Sequence, residues 1–518
     1  MGIDKNVIVQ LNSKNITGFA VLLTMLIYHA CAYASDWKII PSFTLSESYS
    51  DNINLVPSGR KKGAFVTELS PGISIRRKTA RNRLNLDYRM QNLHNAGGNS
   101  KFDIFHQLQF NSNSEIFRNA LFLDLNSSID QQNATNLFIA NDNLSGSRNR
   151  TDVITYGVSP YWTPHLNGYA DGEVRFNYNK LVTGNSLASD TENFDYSVRL
   201  NSGRRFSRMT WFVNYDNRDQ KRQGGNDVRF QDTLAELRGH FNRYFNVFSQ
   251  MGHSDNTFQS STGRNKNGFF YTFGAKWKPS ERFSLEGGLG NNSFVTVSIM
   301  PTRHMHLITT YRNDDIGTNT GNVWNASFDF TTKRSLWKAS YSEDTTTTQT
   351  ALSDIQSFTL VDAFGNAVID PVTQQSVQAD TTLPTLVDEV FIRKKGEISV
   401  AYRTGKSDVN VRFVSENRVF QVSERKNDVI AVSGSWDWRF ARRSAFFIRP
   451  SWQQTTREVS KDNRLDIALG LSRRIPITLG RRGRLNARLE YRYINQSSDI
   501  NINEYIENRI TASLLFTL

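Results

Sequence analysis

The sequence predicts an all-β fold, a transmembrane antiparallel β-barrel of about 24 strands, and three observations carry that reading. The chain ends on a strand of two-residue period, it opens with an export signal, and the same alternation recurs between turns of two distinct lengths. In the last strand Ile510, Ala512, Leu514, Phe516 and Leu518 alternate with Thr511, Ser513, Leu515 and Thr517. An apolar face on the final strand is what a barrel presents to lipid.

The export signal occupies residues 1–34. Lys5 and Lys14 precede an apolar run from Ile16 to Ile27, and Ala32-Tyr33-Ala34 supplies small residues where a signal peptidase cuts, so the barrel is expected over 35–518. That run is short for a membrane-spanning helix of about 20 residues. Cys31 is the single cysteine and falls within the signal, which excludes a disulfide framework and any cysteine metal site from the mature chain. After Ala34 no stretch approaches the apolar length of a spanning helix, yet the chain holds 34 Phe, 18 Tyr and 9 Trp and only 11 Pro. Strands with every second residue in lipid reconcile abundant aromatics with low overall hydropathy. A soluble sandwich or propeller would need shorter strands or a blade repeat.

Alternation recurs through the chain. Leu485, Ala487, Leu489, Tyr491 and Tyr493 oppose Arg484, Asn486, Arg488, Glu490 and Arg492. Ile430, Val432, Gly434, Trp436, Trp438 and Phe440 oppose Ala431, Ser433, Ser435, Asp437 and Arg439. Trp324, Ala326, Phe328 and Phe330, and likewise Ala170, Gly172, Val174, Phe176 and Tyr178, make two further apolar faces. Charge at such regular intervals fits no globular core, but it fits lipid outside and water inside.

The connections alternate between short and long. Thr163–Asn167, Gly203–Ser207, Asn242–Tyr244, Pro279–Arg282, Pro301–His304, Thr331–Ser335, Thr404–Ser407 and Phe440–Arg443 are short, as periplasmic turns are. Asp51–Lys62, Gln131–Arg150, Leu181–Thr191, Gln259–Lys266, Asn313–Gly321, Ser460–Asn463 and Ser497–Glu504 read as longer external loops. Long loops thus follow odd-numbered strands, as a chain starting in the periplasm requires. The count depends on Phe283–Arg312, where Asn291-Asn292-Ser293 and Pro301-Thr302-Arg303 must both turn; without that hairpin there are 22 strands. Twenty-four strands about 4.8 Å apart and tilted about 40° give a backbone diameter of about 45–50 Å. Side chains cannot fill such a tube, so it is hydrated, flattened or plugged.

Residues 346–392 break the rhythm. The stretch from Thr346 to Ile392 has no Lys or Arg but carries Asp354, Asp362, Asp370, Asp380, Asp388 and Glu389. An acidic connection of this length either folds inward against lumenal arginines as a constriction, plug or gate, or stands in solvent as an external loop.

The chain resembles the outer-membrane barrel family associated with the PEP-CTERM/exosortase system, whose members are encoded beside exopolysaccharide genes. The residues that carry the likeness are Trp37, the run from Pro41 to Ile53 with its Asp51-Asn52 turn, Ser70-Pro71-Gly72-Ile73, Leu86-Asp87-Tyr88, the run from Trp337 to Asp344, the loop from Asp362 to Pro371, and Glu507-Asn508-Arg509. The terminal Leu518 departs from the aromatic residue commoner in barrels. The resemblance implies export or retention of an extracellular polysaccharide and brings no catalytic residues with it.

Catalytic chemistry is not legible. Seven histidines follow the signal (His94, His106, His165, His240, His253, His304 and His306), and no serine elbow stands near any of them, so no enzyme is expected. His304 and His306 flank a turn and read as solvated residues before metal ligands. No phosphate loop, zinc spacing or complete calcium loop occurs, so no cofactor is expected. Charge is the remaining signal: the formal +13 becomes +12 once Asp4, Lys5 and Lys14 are removed. It points to anionic partners, lipopolysaccharide phosphates or an acidic polymer, and an exported chain without a basic helix does not point to nucleic acid.

Two basic sets stand out. Arg89, Arg175, Arg439, Arg449, Arg488 and Arg492 fall on inward faces and either line a path for acidic sugars or pair with Asp87, Glu173, Asp437 and Glu490 to brace the wall. Arg76, Arg77, Lys78, Arg81, Arg83, Arg204, Arg205, Arg442, Arg443, Arg473, Arg474, Arg481 and Arg482 cluster at periplasmic turns. That rim either meets a polyanion or a periplasmic export component, or keeps charge out of the bilayer. The expected surroundings are outer-membrane lipid, lipopolysaccharide and the barrel-insertion machinery. The expected role is an exopolysaccharide conduit, with a structural or adhesion barrel and a general diffusion porin as alternatives.

Overall fold

A computed structural model describes residues 37–97, 101–133, 142–145, 150–184, 190–223, 226–260, 263, 265–348, 350, 389–476 and 484–517. The export signal, Asp354, Asp362, Asp370, Asp380, Arg481, Arg482 and Leu518 lie outside the described residues.

The period-two pattern becomes strand along nearly all of the described chain. The first seven segments are β1 (Trp37–Ser50), β2 (Ala64–Lys78), β3 (Asn82–Asn95), β4 (Lys101–Phe117), β5 (Leu121–Asn133), β6 (Arg150–Trp162) and β7 (His165–Leu166). Then follow β8 (Ala170–Thr183), β9 (Thr191–Ser202), β10 (Met209–Arg222), β11 (Val228–His240), β12 (Phe245–Ser254) and β13 (Gly268–Ser280). The sheet continues with β14 (Phe283–Gly290), β15 (Asn292–Thr302), β16 (Met305–Asp314), β17 (Gly321–Thr331), β18 (Ser335–Thr347) and β19 (Val390–Arg403). It ends with β20 (Ser407–Phe420), β21 (Lys426–Ala441), β22 (Ser444–Arg457), β23 (Ser460–Ile475), β24 (Arg484–Ser498) and β25 (Tyr505–Thr517).

These 25 segments make one antiparallel sheet. Two-residue β7 pairs with the start of β8 and prolongs β6 past Pro164, which has no N–H to donate, so the wall has 24 strands. The Phe283–Arg312 hairpin is part of it: Asn291 joins β14 to β15 and Arg303-His304 joins β15 to β16. β1 pairs with β25 from Ser42–Thr517 to Ser50–Arg509. That seam removes both sheet edges, as a sheet in hydrocarbon requires.

The two faces separate as the alternation predicts. Ile510 and Leu514 of β25 are exposed, whereas Tyr505, Glu507, Arg509 and Leu515 on its other face are buried. Trp324, Trp436, Trp438, Phe440, Leu489 and Tyr491 are all exposed on the outer surface. A closed barrel with an aromatic and aliphatic outside and a charged inside is stable only across a bilayer, and the chain is an outer-membrane β-barrel. No helix among the described residues is long and apolar enough to cross a membrane.

One loop differs from expectation. Ser460–Asn463 is not a loop but the start of β23, paired from Arg457–Ser460 to Gln454–Asn463. The connection is Glu458-Val459 alone, and Val459, at 82% exposure, gives the sequence no turn signal. The outer face also becomes polar toward the external ends. Thr67 donates to the outward Glu47 carboxylate, and Asn92 donates to the Leu69 carbonyl. A tilted strand needs about 9–11 residues to span the apolar layer, and β4 has 17 and β23 has 16, so such ends stand above it.

Large inward rings need space in the wall. Phe248 lies over Gly274 and Gly288, and Phe447 over Gly470; a Cβ at Gly274 would sit 2.3 Å from the Phe248 ring and 2.2 Å from the Gly287 carbonyl. Glycine here provides room for close packing rather than turn geometry. The two rings, 4% and 3% exposed, leave the lumen surface to the arginines over them.

Candidate functional site

The inward charges form ladders. Arg175 on β8 donates to Asp124 at 2.9 Å and Glu173 at 3.1 Å, with its guanidinium 3.8 Å from the Tyr161 ring centroid. Arg238 bonds Glu236 and Glu286 while lying over Phe248. Arg449, 3.8 Å from Asp437, and Arg488, bonded to Glu490, both cover Phe447. Arg89 bonds Gln107 and approaches Glu68, and Arg439 reaches Asp408 at 3.3 Å. The six inward arginines singled out from sequence therefore lie on the inner wall, each with a partner. They are spread around it and do not converge on a single centre.

The rim cations divide between the two faces. Arg76 points inward and holds Asp87 through both carboxylate oxygens, whereas Arg77 points outward over Trp37, 5.0 Å from its centroid. Lys78 ends β2, and Arg204 and Arg205 lie in the β9–β10 turn, where Arg205 covers Tyr169. Arg442 and Arg443 are the β21–β22 turn. Arg473 pairs in register with outward Ala487, and Arg474 with inward Asn486. His306 bonds Ser298 and His304 is an exposed turn residue; among the described residues no three His, Cys, Asp or Glu gather as a metal site.

The most elaborate arrangement was not anticipated from sequence. Residues 142–145 of the β5–β6 connection lie inside the barrel against the seam. Asp142 accepts from Arg509 on β25 and from Arg492 on β24, which also holds Asp466 on β23 through both oxygens. Ser145 and Ser50 both donate to Glu507, at 2.5 and 2.7 Å. Asn143 donates to Gln91 on β3 and Gln131 on β5. Arg464 completes the cluster with a 2.7 Å bond to the Tyr505 hydroxyl. Arg509, Glu507 and Asp466 are buried, so these bonds form with little water present and are strengthened accordingly.

An apolar inlay flanks the cluster. Ile53, Ala64, Val66 and Leu93 pack with Phe105 and with Leu144 of the inserted segment, and Leu55 packs with Ile494 and Tyr505. Burying a leucine side chain such as Leu55 stabilises by about 1.5–3 kcal/mol. Asn52 orients the β1–β2 loop, donating to the Val56 and Ile506 carbonyls while accepting from the Val56 N–H. Asp51 accepts from the Asn508 backbone and side chain across the seam. The β1–β2 loop and residues 142–145 thus occupy one sector of the lumen beside the strands that close the barrel.

Burial alone would push the Asp142 carboxyl up, but Arg509, Arg492 and Arg150 outweigh it and hold the group well below the ordinary carboxylate range. A depressed folded-state pKa contributes stability that is present above the unfolded value of about 3.9 and lost as pH falls through the depressed one. Arg509 on β25, Arg492 on β24 and Arg150 on β6 face the carboxylate, with Glu507 and Asp466 behind the first two. The inserted segment is therefore expected to stay docked from neutral pH to below pH 4 and to loosen only in stronger acid. Protease sensitivity of the β5–β6 connection across a pH series checks this; release between pH 5 and 7 would contradict it.

No family model and no curated protein matches the chain. Solved barrels match in outline. The FrpB iron transporter from Neisseria meningitidis in apoprotein form has a TM-score of 0.45 at 10% identity, over 94% of this chain and 82% of that one. The ferric-catecholate import receptor Fiu from E. coli K12 gives 0.43 at 10% identity, over 94% and 82%. The siderophore receptor PirA from Pseudomonas aeruginosa gives 0.40 at 8%, over 92% and 80%.

Proposed function

We propose that this outer-membrane barrel is a passive conduit for export of an exopolysaccharide of the PEP-CTERM/exosortase kind. The observation that carries the reading is a closed wall of 24 strands whose inner face is polar and ion-paired. A wall of this kind keeps a tube hydrated, and a hydrated tube passes a polymer without a bound cofactor or a chemical step. The sequence likeness supplies the polysaccharide. Guanidinium groups held over the Tyr161, Phe248 and Phe447 rings support it, because they present hydrogen-bond donors to sugar hydroxyls and carboxylates. The inserted β5–β6 segment favours a second reading, an anchoring barrel with a blocked lumen. Planar-bilayer recording tests the proposal: current through the purified barrel should be blocked by the purified polymer and not by its component sugars. Equal block by both would indicate a general porin, and a permanently silent barrel would indicate an anchor.

A further inference from the structure

We infer that the lumen is electrostatically two-sided and that its β19–β25 wall is a binding track for a polyanion, a polysaccharide bearing carboxylates. The inference rests on the conduit reading and gives its cargo a chemical class. On β19–β25 the inward positions carry fourteen Arg or Lys and eight Asp or Glu, a surplus of six. On β1–β18 inward acids and bases are nearly equal in number.

The pairing pattern shows how the surplus is accommodated. At three places on the basic wall one carboxylate serves two cations. Glu397 holds Arg412 at 2.8 Å and Lys395 at 3.3 Å, Asp408 holds Arg403 at 2.9 Å and Arg439 at 3.3 Å, and Asp466 holds Arg492 at 2.6 Å and Arg464 at 3.6 Å. Asp142 links Arg492, already held by Asp466, to Arg509, which also approaches Glu507. Across the barrel no such excess of cations occurs: Arg175 is divided between Asp124 and Glu173, and Arg238 and Lys276 are matched by Glu236 and Glu286. Every cation in these groups is hydrogen-bonded and held in place, and around Glu397 and Asp408 two cations meet one carboxylate.

Such triads attract a polyanion without gripping it. Bonded guanidinium groups are held to the wall, so a passing carboxylate meets an attractive potential instead of a flexible side chain that closes around it. Charges across a hydrated lumen lie well beyond a Debye length of about 8 Å and do not cancel it. A polymer with a carboxylate on each sugar would follow this side of the wall.

Binding of polygalacturonate to the purified barrel in detergent tests the track, with neutral dextran as the comparison. This readout needs no current, so it stands whether or not the barrel conducts. The double variant K395Q/R439Q removes the more distant cation from two triads and leaves Arg412 on Glu397 and Arg403 on Asp408, so no carboxylate is stranded. The variant R199Q/K276Q makes the same change in total charge on the opposite side. Polygalacturonate is expected to bind and dextran not to bind. K395Q/R439Q should weaken binding about tenfold and R199Q/K276Q less than twofold. Equal binding of the two polymers, or equal loss in the two variants, would overturn the inference. The heat-dependent gel shift of each variant confirms that the barrel has closed.

Discussion

Replacing Asp142 with alanine is expected to free the β5–β6 segment from the lumen and to raise the open-channel conductance. The carboxylate joins this segment to both Arg492 and Arg509, and Ser145 Oγ adds a longer contact with Arg509 at 3.4 Å. Removing one partner of a buried ion pair commonly costs 3–5 kcal/mol, but Arg492 keeps Asp466 and Arg509 keeps Glu507 nearby. Asp142 is also partly exposed, so about 2 kcal/mol is the appropriate figure. That figure shifts the docked-to-free ratio about thirtyfold, since 1.36 kcal/mol is a factor of ten. The bonds from Ser145 to Glu507 and from Asn143 to Gln91 and Gln131 remain and give the segment its residual affinity for the wall. Single-channel recording should show larger, noisier openings, and D142N should fall between D142A and the native chain. Unchanged conductance and unchanged protease resistance in D142A would mean that the segment is held by its apolar packing instead.

Gly274→Val is expected to produce the largest loss of stability of any single inward substitution considered. The new Cβ would meet the Gly287 carbonyl at 2.2 Å, the Phe248 ring at 2.3 Å and the Gly288 Cα at 2.8 Å, and two of these are backbone atoms of a paired strand. Backbone in a closed ladder cannot retreat without breaking register, so the substitution costs about 3 kcal/mol or more. The temperature of the folded-to-unfolded gel shift should fall accordingly. Adding Phe248→Ala removes the ring but leaves the carbonyl contact, so it should restore only part of the loss. Full rescue by F248A would show that the ring, and not the ladder, sets the limit.

Much of the wall was legible because a strand reports its two faces locally. Trp436, Trp438 and Phe440 declare an outward face without reference to anything distant, and the alternation of short and long connections orients the barrel. The same local rule misread Ser460–Asn463 as a loop, since polar residues at a strand start look like turn residues and Val459 does not. The inserted segment left no comparable trace. Gln131–Arg150 has the composition of any external loop, and the Asp142–Arg509 contact joins residues 367 apart. The distribution of cations over shared carboxylates was equally hidden, because inward alternation shows which residues face the lumen but pairing register decides which of them meet. Asp408 belongs with Arg439 only once β20 and β21 are aligned.

Conduction and a charged track both require a closed wall around water. Single-channel recording of the purified, refolded barrel in a planar bilayer tests that most directly. Discrete, long-lived steps that shrink when large neutral polymers enter the solution are the predicted result, since a wide aqueous lumen admits them. A bilayer that stays silent for native protein and D142A alike, with the gel shift confirming closure, would contradict it.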